Sequence, residues 1–272
     1  MSGRAVTSLT NPTVKAVRAL HLRKERDQTG LFLAEGLKII TEAVELGHAP
    51  RILLYGPGAE HPLLSKAIAA TEAAGGEVIE VTQGILEKIS RRDNPQMVIG
   101  VFPQVFTPLE AIAPQSAACW VALQQVRDPG NLGTIVRTAD AAGCGGVILV
   151  GDCCDPYSVE AVRATMGSIF AVKIAKADVE EFLAWRGAWP GSVVGTLLTA
   201  TVGYRAAEYR RPVMVLMGNE QTGLTRPMAA ACHALVKIPM RGRADSLNLA
   251  VATAIMAYAA TADVEQRSAD KQ

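Results

Sequence analysis

Five polar side chains in three separate stretches are the ones best placed for chemistry: Asn131 and Arg137, Glu220, and Ser246 with Asn248. The last pair belongs to Lys237–Ala260, KIPMRGRADSLNLAVATAIMAYAA. Val236 and Ile238 end an apolar run that Pro239 stops, and a polar, glycine-containing loop covers Met240 to Asp245. Ser246-Leu247-Asn248 then opens a run of small and apolar residues that reads as a buried helix. A helix mouth carries free N–H groups and a partial positive charge, which suits an anionic or carboxylate-bearing ligand. The same residues also read as a plain N-cap, Asp245 or Ser246, on a core helix.

The first stretch is Arg127-Asp128-Pro129-Gly130-Asn131-Leu132-Gly133-Thr134-Ile135-Val136-Arg137. Asn131 falls at a helix entrance and Arg137 almost two turns in, between Val136 and Ala139. A charge on that mostly apolar helix is costly unless paired, so an ion pair with Asp140 or another acid competes with a functional role. The second stretch is Gly218-Asn219-Glu220-Gln221-Thr222-Gly223-Leu224, directly after five apolar residues. Gly218 permits close backbone approach. Glu220 is placed to orient other side chains or to cap the next helix, although a tight strand-to-helix turn needs the glycine in any case.

Several familiar chemistries are excluded. No Gly-x-x-x-x-Gly-Lys loop, Gly-x-Ser-x-Gly elbow or His-Glu-x-x-His pair occurs. Gly143-Cys144-Gly145-Gly146 follows a helix and precedes a strand, the reverse of a dinucleotide fingerprint, so it reads as a helix end and turn. The five cysteines are odd in number, lack a Cys-x-x-Cys pair and do not cluster with the four histidines. They read as free thiols in a reducing cytoplasm, with no structural zinc. No apolar run has signal-peptide or transmembrane length, so the expectation is a soluble cytoplasmic protein with no membrane partner.

The elements that must position these residues alternate between strand and helix. At 272 residues, with 49% hydrophobic and 19% charged, the chain can build a large core, and its net charge of +1 favours no partner. Strands are expected at 31–34, 51–55, 78–81 and 97–102 with helices between them, an α/β unit of about 100 residues. Pro103, Pro108 and Pro114 punctuate a linker at 104–116. Beyond it, strands are expected at 118–123, 147–150, 169–174, 193–197, 213–217 and 236–238, near-continuous apolar runs that imply a parallel sheet covered on both faces. Ligands bind beyond the carboxyl ends of such strands, where all three polar loops begin. Residues 263–272 are polar and read as a frayed tail. Before Gln28, six basic residues (Arg4, Lys15, Arg18, Arg23, Lys24 and Arg26) face two acidic ones, a basic surface fit for phosphates or simply for water.

Taken together, the three loops resemble the three motifs of the SpoU (TrmH-type) RNA 2′-O-ribose methyltransferases of the SPOUT class. The residues that carry this are Asp128-Pro129-Gly130-Asn131-Leu132-Gly133 through Arg137-Thr138-Ala139, Gly218-Asn219-Glu220 with Gly223-Leu224, and Ile238-Pro239-Met240 with Ser246-Leu247-Asn248. The match covers about Ala118 to Ala262. The stretch Ser8-Leu9, Asn11-Pro12, Val14-Lys15 and Phe32-Leu33-Ala34-Glu35-Gly36 resembles the small ribosomal-protein-like RNA-binding domain of members that act on ribosomal RNA.

The resemblance implies an α/β fold: a C-terminal SPOUT domain with a parallel sheet and a deep trefoil knot, after a small α/β ribosomal-protein-like domain. It implies residues 1–103 as an RNA-binding domain, 104–116 as linker and 117–262 as methyltransferase. It implies S-adenosylmethionine as cofactor, a homodimer with catalytic groups from both protomers, and a structured RNA substrate, ribosomal rather than transfer RNA. Asn131, Arg137, Glu220, Ser246 and Asn248 match catalytic or active-site positions. Gly218, Ile238 and Leu247 match cofactor positions, Met240 walls the same pocket, and Leu198 with Thr199 touch it. Lys15, Arg18, Arg23 and Lys24 are expected to contact RNA. Two rivals stand beside this reading. A non-catalytic RNA-binding or ribosome-assembly protein on the same fold predicts decay of the motifs, and a dehydrogenase predicts a glycine fingerprint after its first strand; neither feature is present.

Overall fold

The computed structural model describes residues 4–92 and 94–262. The tail expected at 263–272 lies outside them. The chain divides into two compact units, Met1–Val105 with Asp155–Ala171, and Phe106–Cys154 with Val172–Gln272.

The first unit opens with strand β1 (Arg4–Val6) and helix α1 (Pro12–Ala19). Asn11 starts α1 as its side chain accepts from Thr13 N and Val14 N, and Pro12 fits the first helical position, where no amide is needed. Val14 and Val17 turn inward. Helix α2 (Arg23–Thr29) ends at Gly30, whose φ of 65° is the left-handed stop that glycine takes without strain. Strand β2 (Leu31–Glu35), α3 (Leu37–Glu45), β3 (Ile52–Tyr55), α4 (Pro62–Ala73), β4 (Glu77–Val81), α5 (Gln83–Ser90) and β5 (Val98–Pro103) follow. The sheet order is β1-β4-β3-β5-β2, with β5 antiparallel to both neighbours.

Two 3-10 turns, Leu109–Ala111 and Pro114–Ser116, begin the second unit. Strand β6 (Cys119–Gln124), helix α6 (Pro129–Ala141) and strand β7 (Gly146–Val150) come next. The chain then contributes helix α7 (Val159–Thr165) to the first unit, where Val159 joins the core of Leu33, Leu54 and Ile99. Two ion pairs hold this segment there. Arg26 meets Asp155 at 2.7 Å with both side chains almost fully buried, and Arg163 meets Glu35 at 2.9 Å. Arg26 was grouped with the basic surface on sequence alone; it is a core residue.

The second unit resumes with β8 (Lys173–Ala177), α8 (Val179–Arg186), β9 (Val193–Thr196), β10 (Val202–Gly203), β11 (Val213–Met217), α9 (Arg226–Ala230), β12 (Ala234–Lys237) and α10 (Leu249–Thr261). Its seven strands are all parallel, in the order β10-β12-β9-β11-β6-β7-β8. Strands β6, β7 and β11 are buried along their whole length, as expected for a sheet covered on both faces. Because all strands point one way, the loops after Gln124, Thr196, Met217 and Lys237 leave from one edge of the sheet.

Three local expectations need correction. The strand expected at 169–174 is a 3-10 turn at Ser168–Phe170 followed by β8, whose Lys173 and Lys176 face solvent. The expected strands did not include β1 and β10. The cap of α10 is Asn248, not Asp245 or Ser246: its side-chain oxygen accepts from Ala250 N and Val251 N. Among the described residues no helix is long and apolar enough to cross a membrane.

Candidate active site

The three polar loops meet beyond the carboxyl ends of β6, β11 and β12, around a pocket of 610 Å³. That size falls in the usual range of small-molecule sites, about 300–1,000 Å³. Asn131, Glu220, Ser246 and Asn248 line it. So do Leu198, Thr199, Gly218, Ile238, Met240 and Leu247, which the sequence assigned to a cofactor. Arg137 does not. It is exposed on α6 and, among the described residues, has no ion-pair partner, so the pairing with Asp140 weighed above does not form.

Each side chain is held by the element that carries it. Asp128 caps α6 by accepting from Asn131 N at 2.6 Å, which fixes Asn131 in the first turn. The Glu220 carboxylate accepts from Arg127 N, Asp128 N and Asn131 Nδ2, each at 3.2–3.3 Å. It therefore orients the first loop instead of capping α9, whose N-cap is Thr225. A carboxylate only accepts, so Asn131 must turn its amide nitrogen to Glu220 and its oxygen to Asn248. Asn248 Nδ2 donates to that oxygen at 2.9 Å, while Asn248 Oδ1 is occupied by the cap of α10. The chain Glu220–Asn131–Asn248 thus has one self-consistent orientation.

Asn219 is a positioning residue that sequence reading passed over, although it sits inside the second motif. Its Nδ2 donates to Gln125 O at 2.7 Å and its Oδ1 accepts from Gln221 N at 2.9 Å, tying the second loop to the first. Gln125 itself is held at φ 52°. Gln124 and Thr225 form a reciprocal pair behind this, at 2.8 and 2.9 Å. Gly218 is required: a Cβ there would run into the backbone of Gly223 and Leu224. Cys153 lies behind the first loop with Sγ 3.5 Å from Leu123 O, and burial pushes its thiol pKa up, which makes it a packing residue and not a nucleophile. Among the described residues no cluster of His, Cys, Asp and Glu is placed to hold a metal ion.

This arrangement offers an apolar pocket with a polar rim of amides, a hydroxyl and a carboxylate. The description of the SpoU rRNA Methylase family matches residues 118–258, more than half of the chain. The chain belongs to the SpoU rRNA methylase family. A second match, to the MRM3-like substrate binding domain, covers residues 11–100. Among its relatives, the chain is 29% identical over 258 residues to the 23S rRNA (guanosine(2553)-2′-O)-methyltransferase of Bacillus subtilis (strain 168), covering 94% of this chain and 98% of that one. It is 31% identical to the 23S rRNA (uridine(2479)-2′-O)-methyltransferase of Streptomyces viridochromogenes, over 91% of this chain and 88% of the other. A solved structure, an AdoMet-bound rRNA methyltransferase from Sinorhizobium meliloti, is 52% identical with a TM-score of 0.88, covering 94% of this chain and 97% of that one.

Lys15, Arg18, Arg23 and Lys24, expected to contact RNA, are all exposed on the first unit, with Arg23 3.7 Å from Asp27.

Proposed function

We propose that this protein methylates a ribose 2′-hydroxyl in ribosomal RNA, with S-adenosylmethionine as methyl donor. The observation that carries the reading is the Glu220–Asn131–Asn248 network, which draws side chains from three distant segments to the rim of one apolar pocket. The names of the relatives support the substrate, because both are 23S rRNA 2′-O-methyltransferases.

The pocket fits the cofactor. Leu198, Ile238, Met240 and Leu247 offer apolar cover for a nucleoside, and Thr199 with the glycine turn at Gly218 brings polar groups to the wall. When bound, S-adenosylmethionine supplies an electrophilic methyl group on a sulfonium. The chain's own residues must place a 2′-hydroxyl in line with it and let its proton depart. Asn131 and Ser246 hold the ribose or its phosphate, and Glu220 and Asn248 orient Asn131. A guanidinium presents donors and no acceptor, so Arg137 serves by binding the neighbouring phosphate or steering the hydroxyl, not as a base.

Arg137 is exposed and does not line the pocket of its own chain, which favours a homodimer in which a second copy supplies it. Exposed Val251 and Tyr258 on α10, beside small alanines, suit such a contact. Residues 1–103 act as the RNA-binding domain, 104–116 as linker and 117–262 as methyltransferase. The family's trefoil knot fits a chain whose loops after β9, β11 and β12 share one pocket. The cytoplasm, with its reducing thiols and ribosomes, is the proposed location.

The test is transfer of labelled methyl from S-adenosylmethionine to ribosomal subunits and to transfer RNA, followed by mapping of the modified ribose. Label at one 2′-oxygen of ribosomal RNA is the expected result. Label only in transfer RNA overturns the substrate, and label in neither overturns catalysis and leaves an RNA-binding protein.

A further inference from the structure

The first unit carries a cleft of 560 Å³ that lies outside the methyl-transfer site. Among the described residues, Arg18, Lys88, Arg91 and Arg92 line it, together with Glu87. Its walls are two helices. Arg18 sits in the last turn of α1 next to buried Val17, and Lys88 in the last turn of α5 next to buried Ile89. Helices α1 and α5 pack together, Val17 and Ile89 belong to one buried core, and the cations line one cleft. The His21 ring donates to Ile89 O and pins the turn after α1 to the end of α5. Cations from two helices are thus held together on a fixed frame.

Ordinary helix chemistry explains part of this cluster. Lys88 and Arg91 near the end of α5 complement its dipole. Arg18, in the last turn of α1, does the same there. Helix chemistry does not explain Arg92 or the backbone of Arg91. Arg91 adopts φ 56° at the end of α5, a left-handed position that glycine fills without steric cost. An arginine held there against local preference points to a use for its side chain. Among the described residues none of the four cations has an ion-pair partner, and all four are exposed.

We infer that the Arg18–Lys88–Arg91–Arg92 cleft binds backbone phosphates of the folded RNA substrate. This rests on the RNA methyltransferase reading and assigns the grip of the first unit to a particular face. Of the four residues, sequence charge alone had singled out Arg18. Guanidinium groups match phosphate oxygens in paired hydrogen bonds, and clustered cations release counterions when phosphates replace them. Such contacts carry affinity without reading sequence, so they hold the RNA while the pocket of the second unit does the chemistry.

The test uses the full chain and deproteinised 23S ribosomal RNA, with affinity followed over about 50–200 mM salt. The triple variant Arg18→Gln, Arg91→Gln, Arg92→Gln is expected to bind RNA at least about tenfold more weakly at the low end, with a salt slope flatter by about two. Its S-adenosylmethionine affinity, measured by calorimetry, stays at the wild-type value. A charge-matched variant, Lys38→Gln with Arg51→Gln and Lys66→Gln, keeps wild-type RNA affinity. Arg91→Gly relieves the backbone while removing the guanidinium, so it is expected to keep or raise the melting temperature and still weaken RNA binding; a purely structural residue would move both together. Unchanged RNA affinity and slope in the triple variant overturns the inference. So does binding of inorganic phosphate or polyglutamate through these residues with RNA binding unaffected. If wild type binds no S-adenosylmethionine and labels no RNA, the enzymatic reading fails by itself, and the salt slope still decides the cleft.

Discussion

Asn248 donates its side-chain amide to the Asn131 side-chain oxygen across 2.9 Å, joining residues 117 positions apart. The same Asn248 caps α10 through its other side-chain atom. One residue therefore starts a helix and completes the rim of the pocket.

Asn248→Asp separates those two tasks. A carboxylate still accepts from Ala250 N and Val251 N, and a negative charge at a helix start is favourable. Toward Asn131 it presents an acceptor to an acceptor. The melting temperature is expected to hold, while turnover falls by about tenfold, the worth of one polar contact. A variant that melts normally and turns over at the wild-type rate removes the Asn131–Asn248 contact from the mechanism.

Arg137→Ala is expected to abolish methyl transfer with cofactor affinity unchanged, because Arg137 lies outside the pocket of its own chain. Mixing Arg137→Ala with Asn248→Asp chains, after mild denaturation and refolding, is expected to raise turnover above that of either variant measured alone. The mixed dimer contains one pocket with its own Asn248 and the arginine of the other copy. Absence of restored activity in a demonstrated mixed dimer refutes supply in trans.

Arg26→Met leaves Asp155 buried without its partner, a loss of about 3–5 kcal/mol. Urea unfolding is expected to show it, and the double change Arg26→Met with Asp155→Leu to recover much of it. Equal stability of single variant and wild type would mean that water reaches Asp155.

His21 gives the first unit an acid-sensitive element. Burial lowers its pKa from 6.5; the Ile89 carbonyl opposes that shift and the charge of Arg91 adds to it. The fold therefore favours the neutral ring. Its stabilising effect is complete above the unfolded value of 6.5 and is lost as pH falls through the lower folded value. The melting temperature of wild type is expected to drop more steeply from about pH 7.5 to 5.5 than that of His21→Gln. Parallel curves would show that His21 does not titrate differently on unfolding.

The catalytic unit was the more legible half of the sequence. Strands β6, β7 and β11 are buried on both faces and so read as unbroken apolar runs, and the glycines and polar residues after them mark where the chain turns out of the sheet. Ten of the eleven residues assigned to catalysis or cofactor line the pocket; Arg137 alone does not. Strands β1 and β10, of three and two residues, are too short to show a period. The cap of α10 was ambiguous because Ser246 and Asn248 have equal capping chemistry and only the backbone decides between them. The roles of Arg26 and Glu35 were hidden because their partners lie 129 and 128 positions away. Nothing local distinguishes a buried guanidinium from a solvated one.

The placement of α7 bears on how this protein can be cut and recombined. A fragment beginning at residue 117 would keep the sheet and the pocket but carry α7 without the core that covers Val159. A fragment ending at residue 103 would expose the other side of that seam, with Arg26 and Glu35 stranded beside it. Grafting the catalytic half onto a foreign RNA-binding module thus requires a replacement for residues 155–171 as well as a new join at the linker. In this chain modularity is a property of two interleaved segments, not of one boundary.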